Sequence, residues 1–443
     1  MKRYTLFSLI LAFLFSVSAR ADLPFRNHRY DAFKILPVDS NSIVFVGNSI
    51  TNMHEWCEAF NNPHILNRGV SGAVSNELRA NLGAILPGKP AKMFFLIGTN
   101  DLGTPGMNNA AHVAKNVRAV LQRCQKESPR TQLYVQGILP SSRRKMQLID
   151  ETNDSIERIC RELGVTYISL RNELLSVSKN GDHTHSLDGL HLTASGYRIW
   201  CNKIAPYVGS QCCYPAKAAN ATAGLEGSYG MRASYFAMYP VQQNDILLIG
   251  DEAVHGGEWH ELLHSPRIKN RGTGWGYPGT NIAQMKAHLH NIFKGRPDNA
   301  EPAQVYLYVG TADAVYTKKP VNELAAAYRT LVEEVRRLAP HASISIQALL
   351  PTIDKAKNNN RIVPFNARLK QMAGTMQHVR FVDTYTPMAK DGIANPEYFQ
   401  GDYLSGLGYA RLSEILAPLM GNGVRPTTVN EARAQQARFT PGQ

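Results

Sequence analysis

The chain has 443 residues, more than one ordinary core accommodates, which favours two or three domains. Hydrophobic residues make up 44% and charged residues 19%, a balance that excludes a disordered or fibrous chain. The formal net charge is +13, yet no dense Lys/Arg block with interleaved aromatics occurs, so nucleic acid is not an expected partner.

The chain opens on MKRYTLFSLILAFLFSVSARADLPF: Lys2 and Arg3, an apolar run from Leu6 to Val17, then Ala19-Arg20-Ala21. This order predicts a signal peptide over 1–21, cut after Ala21, and hence a secreted or periplasmic protein. The run is short for a bilayer span, which takes about 20 residues. It carries no lipoprotein cysteine, and no later segment is long and apolar enough to span, so no stable membrane insertion is expected. Removing 1–21 leaves a charge of +10. That surplus can draw anionic partners; a basic surface that only keeps the protein soluble is the simpler reading.

Past the leader, residues 43–51 read IVFVGNSIT and residues 246–254 read ILLIGDEAV. At an offset of 203, Phe33 meets Phe236, Gly47 meets Gly250, Glu55-Trp56 meets Glu258-Trp259, and Asn67-Arg68-Gly69 meets Asn270-Arg271-Gly272. Further on, FFLIGTND (94–101) meets YLYVGTAD (306–313) and VQGILP (135–140) meets IQALLP (346–351). One register held this long is an internal duplication.

In the first copy the strand-like runs are SIVFVG, HILNRG, KMFFLIG, QLYVQGIL and VTYISL, separated by helical patterns such as NAAHVAKNVRAVLQRCQ. The second copy offers DILLIG, RIKNRG, AQVYLYVG, SISIQAL and VRFVDT, with VNELAAAYRTLVEEVRRL among its helices. The alternation predicts two tandem α/β domains, three-layer and flavodoxin-like, each with a five-stranded parallel sheet. The expected boundaries are 22–210, a small-residue linker over 211–233, 234–422, and a polar tail over 423–443. Cys57, Cys124, Cys160, Cys201, Cys212 and Cys213 all precede residue 214. Export permits disulfides, with Cys124–Cys160 and Cys201 to Cys212 or Cys213 as possible pairs and free buried thiols as the alternative.

Ligands of such sheets bind outside the carboxyl ends of the strands. Four segments of the first copy fall there: Gly-Asn-Ser with Ser49, NRGVSG with Gly69 and Gly72, GTND with Asn100 and Asp101, and DGLHLTASGY with Asp188 and His191. A serine hydroxyl needs an adjacent base, which His191 can be. The imidazole needs a carboxylate to fix its tautomer, which Asp188 can be. An oxyanion needs convergent donors, for which the amides of Ser49 and Gly72 and the side chain of Asn100 are candidates. Asp101 is expected to order the loop around Asn100. His183 and His185 stand near Asp188 and His191, but without a clear third and fourth ligand no metal site is expected.

These four blocks, in order across roughly residues 40 to 208, resemble the SGNH branch of the GDSL esterase/lipase family. The resemblance implies Ser49 as nucleophile, Asp188 and His191 completing the triad, Ser49, Gly72 and Asn100 as the oxyanion hole, and no metal or organic cofactor. One departure is that the family's Gly-Asp-Ser is Gly-Asn-Ser here, with Asn48 in the middle.

In the second copy Ser49 faces Glu252, Asn100 faces Ala312, Asp188 faces Gln400 and His191 faces Tyr403. Gly72 faces Trp275, with Gly274 or Gly276 as substitutes if the loop shifts. No triad can form there. Trp275 and Tyr277, in RGTGWGYPGT, are candidates for a ligand rim, since aromatic rings cover apolar sugar faces; a purely supporting second copy is the alternative. The expected activity is that of an exported serine esterase, foremost an O-acetylesterase on glycans, sialic acids or plant polysaccharides included. The alternatives are a lysophospholipase or thioesterase of the same family, or a glycan-binding module with little catalysis. No oligomeric state follows from the sequence.

Overall fold

Each copy builds one parallel sheet, and the two sheets have the same topology. In this computed structural model the described residues are 26–179, 184–213, 227–274, 279–294, 296–297 and 300–439. The first sheet contains β1 (Ile43–Gly47), β2 (Ile65–Gly69), β3 (Lys92–Leu96), β4 (Gln132–Gln136) and β5 (Thr166–Ile168), in the order β2-β1-β3-β4-β5. The second contains β6 (Ile246–Gly250), β7 (Ile268–Gly272), β8 (Gln304–Tyr308), β9 (Ser343–Gln347) and β10 (Val379–Val382), ordered β7-β6-β8-β9-β10. Every pairing within them is parallel, with Gly47 opposite Gly69 and Gly250 opposite Gly272.

The strands are apolar on both sides because helices cover both sides. Ile43, Phe45 and Phe94 pack with the helix Ala194–Val208, while Val44, Val46, Met93 and Phe95 pack with the helices Ala110–Glu127 and Met146–Leu163. The strand order reverses at β1, so the loops leaving β1 and β3 diverge and open a crevice at their carboxyl ends.

The two copies are tied together by exchanged helices and buried ion pairs. Each is preceded by a leader helix, residues 26–33 for the first and Gly227–Phe236 for the second. The second therefore occupies part of the stretch expected as linker. Each leader straddles both copies. Phe33 packs in the first core, whereas Ala32, Ile35 and Leu36 enter the second. Conversely, Phe236 packs in the second core, whereas Met231, Tyr235, Met238 and Tyr239 enter the first.

Buried charge follows the same exchange. Arg29 bonds the carbonyls of Gly69 and Gly256 and the carboxylate of Glu258; Arg232 bonds those of Met53 and Gly272 and Glu55. Arg68 pairs bidentately with Glu261 of the other copy, both contacts 2.8 Å. Arg271 pairs bidentately with Glu58 at 2.8 and 2.6 Å. The contacts are reciprocal at the 203-residue offset, as in an isologous two-fold interface. Even the aromatic cover repeats: Arg29 and Arg68 lie over Phe33, Arg232 and Arg271 over Phe236.

The repeated NRG thus divides into three jobs. Asn67 donates to the carbonyls of Asn52 and His54, and Asn270 to those of His255 and Gly257, locking the turn that follows β1 or β6. The arginine reaches the other copy. The glycine lets that turn approach, since a Cβ at Gly69 or Gly272 would lie 2.3 Å from the backbone nitrogen of Asn52 or His255.

Residues 423–443 are not simply a tail: Val429–Gln436 is helical, opened by a Thr428/Glu431 capping box, with Val429 and Ala432 buried in the second core. All six cysteines are free thiols, so neither candidate disulfide forms. Burial pushes the Cys124 and Cys160 thiols up to about 12.

Removing one partner of a buried pair strands a charge, while replacing both with apolar groups does not. Arg68→Met alone should therefore destabilise the protein by about 3–5 kcal/mol in denaturant unfolding, and Arg68→Met with Glu261→Leu should recover most of that loss.

Candidate active site

The turn after β1 starts with Asn48, whose Oδ1 accepts the Ile50 N–H at 3.0 Å and caps the short helix Ser49–Asn52. Asn48 therefore does the capping job open to an aspartate. Trp56 Nε1 donates to the Thr51 carbonyl at 2.8 Å and Tyr197 Oη to the Ile50 carbonyl at 2.6 Å, holding the turn from both sides. Trp259 repeats the first contact on Val254, which accounts for the tryptophan shared by both copies.

On this turn Ser49 Oγ lies 2.9 Å from His191 Nε2. His191 Nδ1 lies 2.9 Å from Asp188 Oδ2. Asp188 Oδ1 accepts the backbone N–H groups of His191 and Leu190 at 2.8 and 3.0 Å. Burial opposes ionisation of Asp188, but the His191 contact and these two amides outweigh it and hold the carboxyl well below the usual carboxylate range. The aspartate is thus an anion at neutral pH, placed to accept an Nδ1 proton of His191 and to leave Nε2 facing the serine.

Gly72 lies in the loop after β2 at φ +79°, a conformation suited to glycine, and its carbonyl accepts Arg26 at 3.1 Å. Asn100 Nδ2 donates to the Ala73 carbonyl at 2.9 Å. A primary amide carries two N–H bonds, so this contact fixes the group and leaves the second N–H for another acceptor. Asp101 accepts the Ser75 N–H and its hydroxyl at 2.5 to 3.1 Å. Its counterpart Asp313 accepts the Ile282 N–H at 2.8 Å. The shared aspartate therefore fastens one loop to the next helix, as expected of a structural residue. His185 bonds Ser195 Oγ at 2.8 Å, and His183 lies outside the described residues.

The second crevice is built alike and filled differently. Glu252 takes the place of Ser49 at the start of its helix, capped by Asp251. His28 of the first leader helix inserts there, with Nε2 3.6 Å from Glu252 Oε1 and its ring stacked on Tyr403 at 5.1 Å. Burial pushes Glu252 up to about 8, and burial with the charge of Arg29 lowers His28 to about 3. Both are neutral near pH 7, so the contact is not an ion pair. Ala312 lacks the side-chain amide of Asn100, and Gln400 lacks the carboxylate of Asp188. The sequence comparison found these replacements; His28 it did not find, because the intruding residue lies 224 positions before Glu252 with no local signal. Trp275 and Tyr277, the expected rim, lie outside the described residues.

A parallel α/β/α domain that presents a Ser–His–Asp line at its strand ends has the constitution of a serine hydrolase. The chain matches the GDSL-like lipase/acylhydrolase family over residues 45–199 and 250–411 and belongs to it; it is a carboxylic ester hydrolase. Among curated proteins it is similar to the platelet-activating factor acetylhydrolase IB subunit alpha2 of Rattus norvegicus, 28% identical over 178 residues, spanning 37% of this chain and 73% of that one. The alpha1 subunit of Homo sapiens is 24% identical over 172 residues, with the same coverage of 37% and 73%. Similar solved structures include a GDSL-like lipase from Bacteroides thetaiotaomicron, 21% identical with a TM-score of 0.36, covering 42% of this chain and 98% of that one. An acetylxylan esterase from Geobacillus stearothermophilus is 15% identical with a TM-score of 0.33, covering 39% and 96%.

The Glu252 carboxyl ionises near 4.5 when unfolded and near 8 when folded. Between those values the folded state keeps a proton the unfolded state has lost, so stability falls as pH rises through that window. Glu252→Gln removes this loss: its melting temperature should gain on the wild type steadily from pH 5 to pH 8. His28 contributes the opposite limb, losing stability as pH falls from 6.5 towards 3.

Proposed function

We propose that the first copy is the catalytic one, with Ser49 as nucleophile, and that the protein is an exported O-acetylesterase of glycan esters. The Ser49–His191–Asp188 line carries the reading. Ser49 Oγ attacks the acyl carbon while His191 Nε2 takes its proton. The oxyanion is met by the amides of Ser49 and Gly72 and the second N–H of Asn100. His191 then returns the proton to the departing alcohol, and water, activated by the same imidazole, releases the acid.

A short acyl group is favoured because the nucleophile is recessed, with Ser49 4% exposed and the His191 side chain 12% exposed. The acetylhydrolase relatives point the same way. The glycan alcohol and export rest on the signal-like N-terminus and basic charge. No helix among the described residues is long and apolar enough to cross a membrane. The second copy acts as a support, because His28 occupies its crevice and both leader helices tie it to the first.

Hydrolysis of chromogenic esters by residues 22–443 tests this. Ser49→Ala should abolish turnover, Asn100→Ala should lower kcat by about 10²–10³, and Glu252→Gln should retain activity. Rates should drop steeply from acetate to hexanoate; equal rates along that series would favour a lysophospholipase or thioesterase instead.

A further inference from the structure

The loop after β4 brings two guanidinium groups to the catalytic line. Ser141 Oγ and the Ser142 N–H both donate to the Gly189 carbonyl, at 2.6 and 3.0 Å. The loop is thereby fixed onto the turn that carries Asp188 and His191. Its next residue, Arg143, places Nη1 3.7 Å from Asp188 Oδ2 with the side chain 52% exposed. That separation is too long for a hydrogen bond, and Asp188 is already engaged by His191 and two amides.

Arg144 reaches the other catalytic loop. Its Nε donates to the carbonyl of Thr99, the residue before Asn100, at 2.8 Å, and its Nη1 to the Arg143 carbonyl at 2.9 Å. Both acceptors are neutral. Burial and the charge of Arg143 lower the Arg144 pKa, and among the described residues no ion pair of Arg144 offsets them. Arg143 thus borders one committed carboxylate at the mouth of the site, with the Arg144 cation beside the loop that carries Asn100. In the second copy, where the triad is gone, aligning VQGILP with IQALLP puts Asp354 opposite Arg143. Asp354 there caps its own helix.

We propose that Arg143, backed by Arg144, is a specificity-determining residue that binds a carboxylate on the alcohol portion of the ester, so that the favoured substrates are O-acylated sugar acids. The guanidinium fork suits a carboxylate, and the Arg143 side chain is half exposed beside the catalytic line. The sugar in this assignment rests on the glycan-esterase reading; the preference for an anion does not.

The test compares kcat/KM for 4-acetoxybenzoate and its methyl ester, in the wild type and in Arg143→Gln. The charged-to-neutral ratio of the wild type, divided by that of the variant, cancels the intrinsic reactivity of the two esters. It should be about tenfold, the scale of a charge-assisted contact, and should shrink in about 0.5 M salt. Arg143→Lys should restore part of it. A quotient of one, with the variant melting like the wild type, overturns the proposal. A parallel pair, an O-acetylated hexuronic acid and its methyl ester, separates the two readings. A tenfold quotient on the aryl pair with neither sugar ester cleaved supports Arg143 and sinks the glycan reading. Cleavage of both sugar esters with quotients of one sinks Arg143 alone.

Discussion

The reciprocal pairs Arg68–Glu261 and Arg271–Glu58 set the terms for the rest of the molecule. The two guanidinium groups are fully buried, and a buried cation without its partner costs several kcal/mol. Each arginine takes its bidentate carboxylate from the other copy. Arg29 and Arg232 add the same demand through the leader helices. Each half therefore presents a surface that is satisfied only by the other, which is the logic of a two-fold dimer written into one chain.

That constraint explains which residues both copies retain. Trp56 and Trp259, Asn67 and Asn270, and Asp101 and Asp313 brace the turns behind the strand ends, and the arginines join the halves. All of these lie behind the crevice. The replaced residues, Ser49, Asn100, Asp188, His191 and the adjacent Arg143, face into or border it. Catalysis needs one intact crevice, whereas the interface needs two intact backs. The second crevice could accept Glu252 and be filled by His28 because its loss of chemistry leaves the contacts behind it in place.

The parallel strands of both sheets and the Ser49–His191–Asp188 line were legible in the sequence because each depends on a short local pattern at or near a strand end. The exchange of leader helices was not. Its contacts join residues about 180 to 230 positions apart, and the second leader begins in small and polar residues that read as a linker. Its apolar contribution is four residues on one side, too few to give a helical period on their own. The terminal helix did have a readable signal, Thr428 with Glu431 three residues later. The cysteines offered spacing alone, and spacing says nothing of whether two thiols meet.

The exchanged helices also reach the catalytic loops themselves. Ser234 Oγ accepts the Ala194 N–H at 3.0 Å, and Tyr235 Oη donates to the Leu192 carbonyl, one residue beyond His191, at 3.0 Å. Arg232 holds the Met53 carbonyl at the end of the Ser49 turn. Arg26, from the first leader, holds the carbonyl of Gly72. The second copy repeats two of these: Arg29 holds the Gly256 carbonyl as Arg232 holds that of Met53, and Asp31 accepts the Gly406 N–H as Ser234 accepts that of Ala194. A triad tolerates little displacement, since nucleophile and base must stay within hydrogen-bond reach. The loops bearing Ser49, Gly72 and His191 are each fastened to a helix that is itself anchored in the second core or shared with it. The second copy therefore fixes from behind the three loops whose mutual geometry a Ser–His–Asp line requires.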